Sequence, residues 1–567
     1  MKKAILLALL MPFMASGQIV GVAYPGDIII SEIMADPTPV VSLPDQEYFE
    51  ITNTSQNPVS LQGWKLIAGT QTITFPEFVI NPSEYVIVCS PADTSLFRIY
   101  GRTLGLRSFP ALTDGGKLLC LTDSEGKLIH GVEYSSAWYG DAPKSGGGWS
   151  LEMIDSRFPF AGEGNWRASV SKSGGTPGKT NSVEATNPDL FFSGITNVFP
   201  EDEKKIRIRF SETLFIRPED TGRLAIAGNT ISEIYPADPL LREYLIFIAE
   251  PLIEGAIYTL SISVEMRDAA GNPMETSSFR FGITSPPLTG DILFNELLFN
   301  PLPGDVDYIE FYNCSQRVID ASGLLLASVN ETTGALSSSV AVSAERRCIL
   351  PDTYYAITTD RGKTISRYFS SDPSAIFKSA SLPSMPDREG HLVLMDRSLE
   401  KIDEVTYSEK MHFSLLSGVE GIALEKIRPD GASCDRAGWH SASGASGWGT
   451  PGRVNSVFTE KPVDADEIRL SSSRITPDND GFEDLLVIDL KMKGNGNVVS
   501  VTVFDETGLY VRKLADNLYA GSEASIVWDG TAGDGTEVRN GIYILLITVF
   551  DDTGKKNQWK RVCTVLR

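Results

Sequence analysis

Two long stretches of this chain are copies of one another, and a repeat of that length defines the unit that must fold. DIIISEIMADPTP at 27–39 returns as DILFNELLFNPLP at 291–303, and EYFEITNTSQNPVSL at 47–61 returns as DYIEFYNCSQRVIDA at 307–321. Near the copy ends, GWSLEMI precedes NWRAS and GGTPGKTNSV, while GIALEKI precedes GWHSA and WGTPGRVNSV. The order is kept with only small insertions. Each copy therefore spans about 160 residues, the size of one domain.

Helical periodicity is nearly absent. Runs of four to eight residues rich in Val, Ile, Tyr and Phe recur instead, broken by Gly, Pro, Asn and Asp turns, which reads as sandwiches or small barrels. In YFEITN the alternation sets Phe49 and Ile51 on one face and Glu50 on the other, as a half-buried strand requires. Trp64 and Trp166 read as core residues rather than sugar platforms, because Trp in a sandwich buries its large apolar area. The Thr-Pro-Gly segments at 176–178 and 450–452 read as turns that close each copy.

The chain opens like an exported protein. Lys2 and Lys3 precede an apolar run from Ala4 to Met14, and Ala15-Ser16-Gly17 supplies small residues for cleavage, so 1–17 reads as a signal peptide. No later run approaches the ~20 apolar residues of a membrane helix, and no transmembrane span is expected. Acidic residues number 73 against 50 basic, a net charge of −23 without a clustered basic face, which argues against nucleic acid as a partner. Six cysteines are too few for a disulfide scaffold. Cys89 and Cys120 lie in strand-like runs, where pairing and buried free thiols are both open. The four histidines (His130, His391, His412, His440) stand far apart and form no ligand motif. With no phosphate loop, nucleophile elbow or zinc helix, a non-catalytic chain is expected.

The repeated segments resemble the lamin tail domain, an immunoglobulin-like sandwich. The resemblance lies in Ile-Ser-Glu-Ile at 30–33, the Glu50 strand ending at Asn53, Leu61 to Trp64, Trp149 to Glu152, Asn165-Trp166 and Thr176 to Gly178. The second copy has Leu324 where Trp64 stands. Between the copies, Phe210-Ser211-Glu212, Tyr258 and Asp268 to Asn272 resemble a bacterial Ig-like spacer, in which Asp268 and Asn272 most simply hold a tight turn, with a metal role as the alternative. Toward the C-terminus, Pro477 to Gly481 with Asp484, Trp528-Asp529-Gly530 and Asn540 to Tyr543 resemble the gliding-motility sorting domain of type IX secretion. A flagellar-hook-cap type of Ig-like domain shares the last two elements. The resemblances imply an all-β chain of four tandem β-sandwich (Ig-like) domains after the signal peptide: 18–185, 186–286, 287–458 and 459–567. They imply export to the cell surface, the type IX machinery as a partner, and adhesion to protein or glycan. An accessory module of an exported hydrolase is the other reading.

One local cluster has ligand chemistry. Asp478, Asp480 and Asp484 place carboxylates around Gly481, the arrangement a hard cation such as calcium asks for. Asx turn caps would use the same residues. Asp529 and Asp534 fit a hairpin turn.

Overall fold

The computed structural model describes residues 21–567 apart from 264, 331, 369–371, 414–415, 417, 459–466, 479–482, 495, 552 and 567. The expected signal peptide, 1–17, and Asp480 lie outside the described residues. Strand makes up 41 % of the chain and helix 8 %. Two compact units form, one reaching Pro251 and including Tyr258–Arg280, the other Leu252–Ile257 with Phe281–Arg567.

In the first unit, six strands form one sheet in the order Trp166–Ala168, Leu151–Met153, Ile28–Met34, Tyr48–Asn53, Tyr85–Cys89, Arg102–Gly105. Four more form a second sheet, Leu128–Ser135, Gly116–Thr122, Lys65–Ala68, Gln71–Thr74. Ile30, Phe49, Ile51 and Val88 from one sheet meet Leu66, Leu119 and Val132 from the other in a single core. Trp64 and Trp166 belong to that core, 5 % and 4 % exposed. Val59–Ser60 pairs with Val79–Ile80, and a five-stranded and a three-stranded sheet follow from Phe192 onward.

The second unit holds a sandwich that repeats the first one strand for strand. Its six-stranded sheet runs Trp439–Ser441, Leu424–Lys426, Ile292–Leu298, Tyr308–Asn313, Tyr354–Thr358, Ile376–Lys378, against Lys401–Ser408, Glu389–Asp396, Leu324–Ser328, Val340–Ala341. Leu324, in place of Trp64, is fully buried. A terminal pair of sheets follows, in which Trp528 sits 5.3 Å from Tyr543 and donates its indole N–H to the Thr531 carbonyl.

Cys89 and Cys120 do not pair. Cys89 packs with Met34, Tyr48 and Phe97 on the outer face of one sheet, and Cys120 packs with Leu128 and Leu240 outside the other. Both are free thiols.

Glu50 departs from the sequence expectation. Every residue of Tyr48–Asn53 is buried, so the face that alternation assigned to Glu50 is covered. Glu32 lies beside Glu50 on one side and Glu152 on the other, across three adjacent strands. Over them runs the segment 175–183, a strap rather than a closing turn. Thr176 N–H donates to Glu32 Oε1 at 2.7 Å, Gly178 N–H to Glu50 Oε2 at 2.6 Å, and Val183 N–H to Glu152 Oε2 at 3.1 Å. The Thr176 and Ser182 hydroxyls donate to Glu152, and Tyr48 and Ser150 to Glu32. Asn181 pins the strap by donating to the Ser31 and Met153 carbonyls. Gly178 has φ +80°, and a Cβ there would stand 2.4 Å from the Tyr100 carbonyl oxygen, so only glycine fits.

The second copy repeats the device. Glu296 lies between Glu310 and Glu425, and Thr450, Gly452 and Val457 donate backbone N–H groups to Glu296, Glu310 and Glu425. Both copies also bulge within the first strand, at Ile30/Glu32 and at Phe294/Glu296. The freed N–H is taken by His130 Nδ1 in one copy and Asp403 Oδ2 in the other.

Burial, with the neighbouring carboxylates, raises Glu32 to about 7. Burial above all raises Glu310 to about 8 and pushes Glu50, Glu296 and Glu425 up as well. Glu32 Oε2 is buried without a hydrogen-bond partner, and a proton there neutralises the group. The folded chain thus binds protons that the unfolded chain releases above about pH 4.5. Stability is greatest on the acid side and falls as pH rises toward 7–8. Calorimetric scans should show both repeats melting several degrees higher near pH 5 than near pH 8, since about 1 kcal/mol moves Tm by roughly 2–4 °C at this domain size. Glu32→Gln, which mimics the protonated group, should weaken that dependence in the first repeat, where Glu50 still titrates, and leave the second unchanged. Trp64→Ala should cost about 3–5 kcal/mol in denaturant titration; unchanged stability would contradict its place in the core.

Candidate functional site

The first unit opens a cleft of about 530 Å³ at one end of its sandwich. Strand Leu128–Ser135 ends in a short turn, Ser136–Tyr139, capped by Ser135 Oγ, which accepts from Ala137 N–H. That turn carries Trp138, half-buried, against the buried Trp166, with ring centroids 6.4 Å apart. Lys144, Glu163, Arg167 and Val170 complete the wall, and Val170 is 59 % exposed. Lys144 is fixed by donating to the Ser169 carbonyl at 2.7 Å and by lying over Trp149. An aromatic floor with a rim of both charges suits a flat ring with a polar edge.

The matching place in the second copy is filled. By the register of the repeat, Gly140, Arg167 and Val170 stand where Phe413, His440 and Ser443 stand. There Tyr519, the last residue of strand Tyr510–Tyr519, stacks on Phe413 at 4.7 Å. Its hydroxyl meets His440 Nδ1 at 2.5 Å, and Ser443 Oγ donates to its carbonyl. Tyr519 is 1 % exposed.

A separate cluster could hold a cation. Asp189, Glu212 and Asp268 each bring one carboxylate oxygen within 4.8 Å of the others. Burial, then the charges of Asp189 and Asp268, raises Glu212 to about 8, and burial raises Asp189. Asp268 holds the expected turn, accepting from Asn272 N–H at 2.7 Å and from its amide at 2.9 Å. Three oxygen ligands of this kind match calcium chemistry. Sequence reasoning missed the group because its members come from three distant segments.

Of the three sequence-derived metal ligands, Asp478 donates its backbone N–H to Asp484 Oδ1 at 3.1 Å, and Asp480 is not among the described residues. Asp529 and Asp534 accept from Thr531 and Thr536 N–H groups, as hairpin turns require. His130 and His412 are buried, which lowers both to about 4 and keeps them neutral. His130 accepts from Ile30 N–H, a structural use. Among the described residues, no helix is long and apolar enough to cross a membrane.

Comparison with known families matches residues 22–136 to the Lamin Tail Domain and residues 469–563 to the CHU_C type IX secretion signal domain. No curated protein matches the chain. Among solved structures, FlgD from P. aeruginosa aligns at 20 % identity over 18 % of this chain and 78 % of its own, with a TM-score of 0.14. The glucan-utilization protein SGBP-B of Bacteroides ovatus aligns at 12 % over 96 % of this chain and 98 % of its own, TM-score 0.16. A Ca²⁺-stabilized, ice-binding adhesin of an Antarctic bacterium aligns at 10 % over 96 % and 100 %, TM-score 0.12. These alignments are too loose to carry fold or function across. The two family matches are what identify the chain: an exported protein with a lamin tail domain near its start and a type IX secretion signal domain near its end.

Proposed function

We propose that this is a non-catalytic surface protein whose sandwiches bind protein or glycan outside the cell, delivered there by the type IX machinery. The secretion signal domain at 469–563 carries the reading. The sandwiches ahead of it have filled cores, leaving sandwich ends and loops as the recognition surface. We read the second copy as a further lamin tail domain, on its identical strand order and its three strapped glutamates. The domain limits are then 18–185, 186–286, 287–458 and 459–567.

Removing residues 459–567 should leave the chain inside the cell, protected from protease added to intact cells, while the full chain is digested. Equal digestion of both forms would overturn the assignment of the terminal domain. The full chain, spread on glycan and protein arrays, should bind a defined set of spots rather than none.

Calcium enters this reading as a structural ion, at Asp189, Glu212 and Asp268 or in the Asp478, Asp480 and Asp484 loop. Millimolar Ca²⁺ should raise Tm by the mass-action term for a ligand of the folded state. Glu212→Gln should remove the rise if the first group is responsible, and Asp480→Asn if the loop is. Melting indifferent to both Ca²⁺ and chelator would exclude both.

A further inference from the structure

The chain carries two copies of one cleft and two tyrosines that could fill them. The copy lined by Phe413, His440 and Ser443 is filled by Tyr519. The copy lined by Trp138, Trp166, Arg167 and Val170 is open. Strand Tyr510–Tyr519 has a tyrosine at each end: Tyr519 is docked, and Tyr510 stands 62 % exposed beside Leu509, itself 67 % exposed. On this strand one tyrosine is docked and one is not, while one of the two clefts is filled and the other is open.

We infer that the open cleft of one molecule receives the Tyr510–Leu509 strand end of a second copy, so that the chain associates head to tail. The filled cleft shows what the site takes: a phenol ring stacked on one aromatic side chain, its hydroxyl on a polar group at the position of His440. In the open cleft Gly140 stands at the Phe413 position, so the stacking face comes instead from Trp138, two residues earlier, while Arg167, at the His440 position, supplies a donor for the phenol oxygen. Asp141 and Glu163 balance Lys144 and Arg167 in the lining, so the cleft carries no net charge to favour a charged ligand over a neutral ring. Because the knob (the strand end) and the hole (the open cleft) are different surfaces, each molecule that docks offers a new knob or hole to the next. The contact is therefore heterologous and does not stop at a dimer. The net charge of −23 opposes it, so salt should strengthen the association by screening.

Sedimentation velocity on the mature full chain tests this, over about 1–200 µM, the range a small contact of this kind requires. The weight-average mass should rise with concentration and rise further at high salt. Val170→Glu blocks the hole and Tyr510→Ala removes the knob; both positions are exposed, so both variants should melt as the wild type does. Each variant alone should stay monomeric. Mixed in equal amounts they should form a dimer and nothing larger, because one retains only the knob and the other only the hole. A wild-type chain that stays monomeric at every concentration would overturn the inference and leave the cleft to another protein or a glycan. Self-association that survives either substitution, or a mixture that grows past a dimer, would equally overturn it.

Discussion

Three carboxyl groups set side by side on adjacent strands, out of contact with water, must find donors or protons, and the architecture of each repeat follows from that requirement. Among the described residues no Lys or Arg is a partner of Glu32, Glu50 or Glu152. Backbone N–H groups and hydroxyls do the work instead, and they come from a strap far along the chain. The donors must arrive at fixed spacing, so the strap keeps Thr, Gly, Asn, Ser and Val in one order in both copies. Covering the glutamates also converts a sheet with one wet face into one buried on both, which is why Tyr48–Asn53 has no exposed residue.

Much of this fold can be read from the sequence, for identifiable reasons. Alternation and turn residues mark the strands, and the duplication shows that one plan was used twice. Trp64 and Trp166 are core residues because a sandwich of this size needs large apolar side chains. The strap is different. Thr-Pro-Gly looks like a turn in isolation, and its role depends on a bond from Thr176 to Glu32 that spans 144 positions. The signal was present in the pairing of SEI, FEI and LEM with NEL, IEF and LEK, a glutamate kept on three strands of each copy. The cleft was less visible still. Trp138 sits in a short turn with no periodic context, and its importance emerges only beside Trp166 and against the filled cleft of the other copy.

Duplication usually preserves the core and releases the periphery, and the two copies follow that pattern. The glutamates, the strap and the bulge recur. His130 in one copy and Asp403 in the other accept the same freed N–H with unlike chemistry, since the backbone asks only for an acceptor. The sandwich ends diverge: Trp138 and Arg167 face an open cleft in the first copy, while Phe413 and His440 hold a neighbouring tyrosine in the second.

The strap also sits where the chain leaves each repeat, and this sets how a repeat bears load. In the first copy a pull on the outgoing chain meets Asn187 and Ala185 first, bonded to Asp155 and Ile154, then Val183 and Ser182, and only then Asn181, Gly178 and Thr176, so the bonds to Glu152, Glu50 and Glu32 are stressed in sequence rather than all together. A contact that peels yields at lower force than one sheared as a whole. A strap that peels would lengthen the tether by about 3.3–3.6 Å per freed residue and would strip Glu32, Glu50 and Glu152 of their donors, opening the covered face of the sheet to water.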